Sequence, residues 1–179
     1  MKEIIYNYDL LEDKDINNEV ARVKALIINS NNEILFGYAD KTYQLVGGHV
    51  EKEETLMECL SREIKEESGI EIKFDNLMPF LKIKYYSRNY PSNGLNTITT
   101  NNYYVVRTDL KPNYDNRELT DYEKEWDYTV KYVKLDDALD VLEKSIGDAK
   151  KKNPLLDTIE AIKEYIKICG DDTRRDEWQ

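Results

Sequence analysis

The sequence has few cysteines, glycines and prolines, and it has no long apolar run. The 179 residues include 2 Cys, 7 Gly and 4 Pro. Because Cys59 and Cys169 are the two cysteines, a disulfide framework is excluded, and the fold must depend on a hydrophobic core. Residues 1–5 lack the apolar stretch of a signal peptide, and no later segment is long enough to span a membrane. We therefore expect a cytoplasmic location.

Positive charge is also scarce relative to negative charge. Asp and Glu number 36 against 26 Lys and Arg, which gives a formal net charge of −10. A general nucleic-acid binder needs a basic surface, so this balance argues against nucleic acid as a partner. A small phosphorylated ligand stays compatible with the charge, because clustered carboxylates bind divalent cations that present positive charge to phosphate.

Alternating apolar and polar residues predict strands on both sides of a central helical segment. In residues 21–27, apolar side chains alternate with Arg22 and Lys24, so this strand is predicted to be half-buried. The polar turn at 29–32 predicts a hairpin, and the segment 88–96 predicts a long surface loop. Further strands are predicted at 33–38, 43–46, 81–85, 97–106 and 128–132.

Three helices follow from capping residues and apolar spacing. The first, near residues 55–68, begins with Thr55 and Glu58 as a capping box and ends at Gly69. The second lies near residues 136–145. Strands grouped around a central helix, with further helices toward the end, predict an α+β sandwich rather than a doubly wound sheet.

The third predicted helix, at about 154–169, is an addition on the C-terminal side of these elements. Asn153 is its predicted cap, and Pro154 is its first helical residue. Gly170 closes it, and a polar tail follows at 171–179. Such a helix could pack on its own subunit or form a homodimer interface. Its predicted apolar stripe consists of Leu155, Ile159, Ile162 and Ile166.

Three carboxylates share one face of the helix predicted at 55–68. At about 100° per residue, Glu63, Glu66 and Glu67 fall in one arc next to the apolar side. Like charges at this spacing repel each other, so the cluster indicates bound cations. Oxygen ligands select Mg²⁺ or Mn²⁺ over zinc, and a backbone carbonyl such as that of Gly47 could join them. A solvated acidic face is the alternative for Glu66 and Glu67 taken alone.

The whole segment 48–70 has a more specific pattern than the carboxylate cluster. It reads Gly, five residues, Glu, seven residues, and then Arg-Glu-aliphatic-x-Glu-Glu-x-Gly-aliphatic. This is the Nudix box, and the chain resembles the Nudix hydrolase superfamily. The residues that match the pattern are Gly48, Glu54, Arg62, Glu63, Ile64, Glu66, Glu67, Gly69 and Ile70.

The resemblance implies both a fold and a reaction. The fold is the Nudix α/β/α sandwich with a mixed sheet, expected here as one domain over 1–179 with its core at about 18–145. The reaction is hydrolysis of a diphosphate linked to another moiety, usually a nucleoside, with Mg²⁺ or Mn²⁺ required. We therefore expect a metal-dependent pyrophosphohydrolase whose substrate is a nucleoside diphosphate derivative or a nucleoside triphosphate.

The resemblance implies metal ligands and a supporting arginine at the matching positions of the box. Glu63, Glu66 and Glu67 resemble the metal-binding carboxylates of the superfamily, with the Gly47 carbonyl as an added ligand. Glu63 and Glu67 are therefore also candidates for catalysis. Arg62 resembles the residue that orients the catalytic glutamate.

Other residues of the box are expected to support its shape. Glu54 resembles the salt-bridge partner of that arginine, and Gly48 and Gly69 occupy the two glycine positions. Cys59 stands where a small residue is common, so we interpret it as filling space rather than as a reactive thiol. His49, the only histidine, is either a phosphate contact or an ordinary loop residue.

The residue that takes the proton from water is left open by the box. In Nudix enzymes this residue is a box glutamate or a glutamate from a late loop. By location, Glu123 is preferred here and Glu125 is the alternative, while both also fit a charged surface turn. Five aromatic residues could stack on a base or belong to the core, namely Trp126, Tyr85, Tyr86, Tyr103 and Tyr104.

Two other functions compete with nucleotide hydrolysis. A Nudix-fold sensor would bind a nucleotide without cleaving it, but such proteins usually lose box carboxylates, and this sequence retains them. An enzyme that acts on non-nucleotide diphosphates would keep the metal site and would need no surface for a base.

Overall fold

The computed structural model describes residues 1–149 and 152–170, so the predicted tail at 171–179 lies outside the described residues. Within that part of the chain, no helix is long and apolar enough to cross a membrane. The strands are β1 (Lys2–Tyr6), β2 (Asn18–Ile28), β3 (Glu33–Ala39), β4 (Thr42–Leu45), β5 (Leu81–Ser87), β6 (Thr97–Arg107) and β7 (Thr129–Lys134). The helices are α1 (Leu56–Ser68), α2 (Asp121–Glu125), α3 (Leu135–Ser145) and α4 (Lys152–Gly170).

All of these strands belong to one mixed sheet. Its order is β1-β5-β6-β2-β3-β4, and β7 also pairs with β3. The β1–β5 and β2–β6 pairs are parallel, whereas the β5–β6, β3–β4 and β3–β7 pairs are antiparallel. The predicted hairpin at 29–32 is confirmed, because β2 and β3 pair in antiparallel register through Ile27 and Leu35.

Helices cover both faces of this sheet, and alternate residues of β2 serve two cores. Val23, Ala25 and Ile27 pack in the cluster that includes α1, whereas Leu26 and Ile28 pack in the cluster that includes α3 and α4. The predicted α/β/α sandwich with a C-terminal helix is therefore confirmed. The prediction that β2 is half-buried is wrong for its second half, because a strand between two helical layers has no solvent face.

Helix α4 differs in detail from its prediction. It begins at Lys152, so Asn153 lies inside the first turn and is not the cap. Three residues of the predicted stripe are buried, but Ile166 is 38% exposed, while Tyr165 and Ile168 are buried. The buried face of α4 rotates around the helix axis along its length. A stripe predicted at constant spacing therefore assigns the wrong residue to the buried side in the last turn.

Two elements have no strong sequence pattern and were not predicted. Strand β1 lies at the edge of the sheet and pairs with β5, but its side chains include no fully buried residue. Helix α2 is a short polar segment with no buried residue. Neither element shows the apolar periodicity on which sequence-based prediction depends.

The chain changes strand partner where the box begins. After β4 leaves β3, the Ala25 amide donates to the Val46 carbonyl at 2.8 Å, and the Val23 amide donates to the Gly48 carbonyl at 3.0 Å. Between them, Gly47 has a φ of 131°, and a Cβ there would lie 2.2 Å from the Val23 carbonyl oxygen. Only glycine fits this position, which brings the box loop against β2.

The ends of α1 are as predicted. Thr55 Oγ1 accepts a hydrogen bond from the Glu58 amide at 3.2 Å, and the Glu58 carboxylate accepts one from the Thr55 amide at 2.8 Å. Gly69 ends the helix in the left-handed conformation with a φ of 71°. A Cβ at Gly69 would lie 1.9 Å from the carbonyl oxygen of Asn113, so both backbone and space require glycine.

Replacing Gly69 with alanine should lower the free energy of unfolding by about 1–3 kcal/mol, because the position needs a positive φ and has no room for a methyl group. Gly147→Ala is the matched control, since a Cβ at Gly147 would meet no atom within 4 Å. Urea unfolding of the two variants and the parent protein measures the difference. Equal effects of the two substitutions would contradict the structural argument.

Candidate functional site

Glu67 lies at the bottom of the site and is only 3% exposed. One carboxylate oxygen accepts a hydrogen bond from the Gly47 amide at 3.2 Å, and the other accepts one from the Tyr128 hydroxyl. Burial raises the pKa of Glu67 to about 8, although Lys24 and the Tyr128 hydrogen bond oppose this shift. The carboxylate is thus held on both oxygens in surroundings where its charge needs a nearby cation.

The Lys24 ammonium approaches the same place from β2. It donates hydrogen bonds to the Leu45 carbonyl at 3.2 Å and to the Gly47 carbonyl. Burial lowers the pKa of Lys24, and the negative charges of Glu67 and Glu63 oppose that shift. A cationic side chain therefore contacts the backbone carbonyl that the resemblance implies as a metal ligand.

Arg62 brings three box carboxylates together. Its Nε and Nη2 donate to the two oxygens of Glu54 at 2.8 and 2.9 Å. Its Nη1 donates to Glu63 and to Glu66, at 2.9 Å in each case. The hydrogen bond with Glu54, followed by the charges of the other carboxylates, raises the pKa of Arg62, so the guanidinium is permanently charged.

The carboxylate of Glu63 lies directly against Gly48. A Cβ at Gly48 would be 2.4 Å from one carboxylate oxygen of Glu63 and 2.7 Å from the other. Burial raises the pKa of Glu63, and its contact with Arg62 opposes this shift. Gly48, the first glycine of the box, therefore leaves the space that this carboxylate occupies.

The donor set fits a hard divalent cation by its chemistry. Carboxylates and a backbone carbonyl are the oxygen ligands that Mg²⁺ and Mn²⁺ prefer, and the buried carboxyl group of Glu67 needs a positive partner to ionise at neutral pH. Across residues 1–149 and 152–170, however, no three acidic, His or Cys side chains are grouped closely enough to hold a metal ion. The carboxylates of Glu63 and Glu66 face Arg62 instead.

The two late glutamates occupy different positions on α2. Glu123 is partly buried and closes a capping box with Thr120, whose amide and hydroxyl donate to its carboxylate at 2.7 and 2.8 Å. Its charge contributes to the raised pKa of Glu67, and Glu123 lines a small pocket together with Tyr128, which donates a hydrogen bond to Glu67. Glu125 is exposed at the end of α2.

Two box residues with open interpretations differ in their surroundings. Cys59 is fully buried, and burial raises the pKa of its thiol to about 12, which agrees with the interpretation that it fills space. His49 is exposed, and its Nε2 accepts a hydrogen bond from Nε of Arg22 at 3.0 Å. Although the residue is exposed overall, partial desolvation of its ring and the charges of Arg22 and Lys24 lower the pKa of His49, so the imidazole is neutral near pH 7.

A cavity of about 290 Å³ lies between the sheet and α4, and it adjoins the box through the contact of Arg22 with His49. Inside it, the Asp157 carboxylate accepts hydrogen bonds from the Tyr85 hydroxyl and, at 3.4 Å, from Nδ2 of Asn101. The side-chain oxygen of Asn101 is buried and has no hydrogen-bond partner among the described residues. The remaining lining residues are Ser87, Tyr90, Thr99, Asn153 and Pro154.

The five aromatic candidates are placed in four different settings. Tyr85 lines the large cavity. Tyr103 and Tyr104 are buried in the two cores, and the hydroxyl of Tyr86 donates to an aspartate outside the cavity. Trp126 lines a smaller pocket of about 40 Å³ beside α2. Tyr85 is therefore the one predicted aromatic that the structure brings to the larger cavity.

Sequence reasoning missed the roles of Lys24, Arg22 and Asp157. The two basic residues interrupt an otherwise apolar strand, and this interruption is a signal, since a central strand has no solvent face for a charge. The sequence around Asp157 has no comparable pattern, because the cavity that Asp157 lines is formed by the packing of α4 on the sheet.

Comparison with known proteins identifies one family. A model described as the NUDIX domain matches residues 19–155, well over half of the 179 residues. A search of curated proteins gives no match. Among solved structures, a chain from the study of MutT from Aliivibrio salmonicida and Vibrio cholerae is 19% identical with a TM-score of 0.47, and the match covers 80% of this chain and 94% of that chain. The MutT protein from Methanosarcina mazei Go1 is 21% identical with a TM-score of 0.48, covering 84% and 96%.

Proposed function

The chain belongs to the NUDIX family of hydrolases, and from this premise we propose that it is a metal-dependent pyrophosphohydrolase acting on a nucleoside diphosphate derivative or a nucleoside triphosphate. The buried carboxylate of Glu67 carries the proposal. It lies beside the Gly47 amide and carbonyl, at the base of a helix that presents Glu63 and Glu66 on the same side. Such a set of oxygen donors suits a cation that binds phosphate.

We assign Glu63, Glu66, Glu67 and the Gly47 carbonyl as the ligands of Mg²⁺ or Mn²⁺. When bound, such an ion neutralises charge on the diphosphate and lowers the pKa of the attacking water. Arg62 offsets the mutual repulsion of the like-charged carboxylates and, through its two bonds to Glu54, fixes the direction of its guanidinium plane.

Glu123 is the proposed acceptor of the proton released by water. Its partial burial, its position in the small pocket that Tyr128 also lines and its electrostatic effect on Glu67 support this role, whereas Glu125 is exposed. A carboxylate at this edge can take a proton from water that attacks phosphorus, provided that substrate binding brings the two together.

The cavity between the sheet and α4 is the proposed position of the nucleoside. Its volume, about 290 Å³, is close to the lower end of the usual range for small-molecule sites. The Asp157 carboxylate and the unpartnered oxygen of Asn101 are acceptors, so they favour a ring that carries N–H donors. Tyr85 and Tyr90 supply aromatic surface at the cavity wall.

Hydrolysis is favoured over the two competing functions. Retention of every box carboxylate supports turnover rather than a sensor, and a cavity that presents the acceptors of Asp157 and Asn101 supports a nucleoside rather than a non-nucleotide diphosphate. The cytoplasmic location stays a prediction. The homodimer also stays a prediction. The apolar face of α4, which was its predicted interface, packs mainly on the sheet of its own subunit.

Release of phosphate or pyrophosphate from nucleoside triphosphates, nucleotide sugars, dinucleoside polyphosphates and ADP-ribose tests the reaction. Turnover should require Mg²⁺ or Mn²⁺, and Glu67→Gln should lower kcat at least about a hundredfold, the scale for losing one group that stabilises transition-state charge. Glu71→Gln is the matched control, because Glu71 is exposed just beyond the box helix. Metal-independent turnover, or full activity of Glu67→Gln, would exclude the proposed site.

Glu123→Gln should lower kcat by about 10²–10⁴-fold, the range for loss of a general base, while Glu125→Gln should change it less than about twofold. Glutamine is accepted in a capping box, so the start of α2 should survive the first substitution. Steady-state kinetics of the two variants provides the comparison. Equal activity of both variants and the parent would contradict the role of Glu123 and indicate that the general base is a glutamate of the box.

Asp157→Asn should raise KM for a nucleotide substrate about tenfold, the effect of losing one well-placed hydrogen-bond acceptor, with little change in kcat. Asp148→Asn is the control, because Asp148 is an exposed aspartate between α3 and α4. Kinetics on the best substrate of the panel measures both variants. A KM unchanged by Asp157→Asn would remove the nucleoside from this cavity.

A further inference from the structure

Lys24 is a charged residue of the site for which the box pattern has no role. It comes from β2, more than twenty positions before the box helix, and its ammonium contacts the carbonyls of Leu45 and Gly47. These carbonyls lie on the segment that changes partner from β3 to β2, and that change brings the box loop within reach of the side chain.

The charges around Lys24 come from three elements. Glu67 and Glu63 of α1 attract the ammonium, as does Asp157 of α4, while Arg22 of β2 repels it. Negative charge therefore dominates its surroundings. These charges favour a cation at this position, and in the protein the Lys24 ammonium is that cation.

We propose that Lys24 is an internal counter-cation that competes with the divalent ion for the Gly47 carbonyl and thereby weakens metal binding. The proposal rests on the proposed metal site. The carbonyl oxygen that accepts a hydrogen bond from the ammonium is the oxygen assigned to the ion. Two cations at one oxygen repel each other strongly where water is excluded, so the ammonium must withdraw before the ion takes its place.

The same lysine also acts on the buried carboxylate of Glu67. Glu67 is deeply buried and accepts two hydrogen bonds, and the charge of Lys24 opposes the effect of burial on its pKa. Lys24 supplies this charge from the side of the sheet while its ammonium contacts the Gly47 carbonyl. Removing the ammonium should leave both the carbonyl and the carboxylate open to an ion from solution.

Binding of Mn²⁺, followed by the electron paramagnetic resonance signal of the free ion, tests this competition without substrate or turnover. Lys24→Met should bind Mn²⁺ about tenfold more tightly than the parent, because a competing positive charge is gone. Lys24→Gln, which keeps a polar side chain, is the second variant in case methionine disturbs folding. Lys144→Met is the control, since it removes the same charge from an exposed position on α3.

Thermal unfolding in a chelator provides a second readout. Both Lys24 variants should melt below the parent without metal, and saturating Mn²⁺ should raise their Tm by more than it raises that of the parent. A lysine with only a structural role would produce the opposite in the first assay, since a disturbed site binds metal more weakly.

Three results decide the proposal. Tighter Mn²⁺ binding in the Lys24 variants, with the Lys144 control unchanged, supports it. Equal or weaker binding in folded Lys24 variants, while the parent binds Mn²⁺ and Glu67→Gln does not, would overturn the role of Lys24 and leave the metal site standing. A parent protein that binds Mn²⁺ no better than Glu67→Gln would overturn both.

Discussion

The burial of one carboxylate organises the site. Glu67 is enclosed at the end of α1, and a buried carboxylate is tolerated only where hydrogen bonds and positive charge reach it. Three distant segments meet this need with the Gly47 amide, the Tyr128 hydroxyl and the Lys24 ammonium. The positive φ of Gly47 and the change of strand partner after β4 are conditions for this convergence.

The planar geometry of Arg62 fixes the positions of three other carboxylates of the box. The guanidinium of Arg62 is planar and donates in a fixed fork, so it bonds Glu54 through one edge and reaches Glu63 and Glu66 through the other. A lysine would offer the same charge without this direction. The box is therefore held by a network of charge-assisted hydrogen bonds in which one arginine binds three carboxylates.

The box helix and most strands could be predicted because their signals are local. The capping box of Thr55 and Glu58 and the left-handed Gly69 define α1 from a few adjacent residues. The edge strand β1 could not be predicted, since its pairing with β5 depends on residues about eighty positions away and its own pattern is weak. Lys24 was misplaced for a related reason. Alternation predicts which side of a strand a residue is on, but the burial of that side depends on α4 and the box loop.

The residues of the box and the residues of α4 that line the cavity lie in different parts of the sequence. The proposed chemistry uses residues of α1 and the loop before it, whereas the shape and polarity of the cavity depend on Asn153, Pro154 and Asp157, which lie about a hundred positions later. Changes in the first turn of α4 can alter what fits beside the sheet while the carboxylates of the box stay in place. Relatives that share the box and differ in this one helix would then form a set of enzymes with a common reaction and separate substrates.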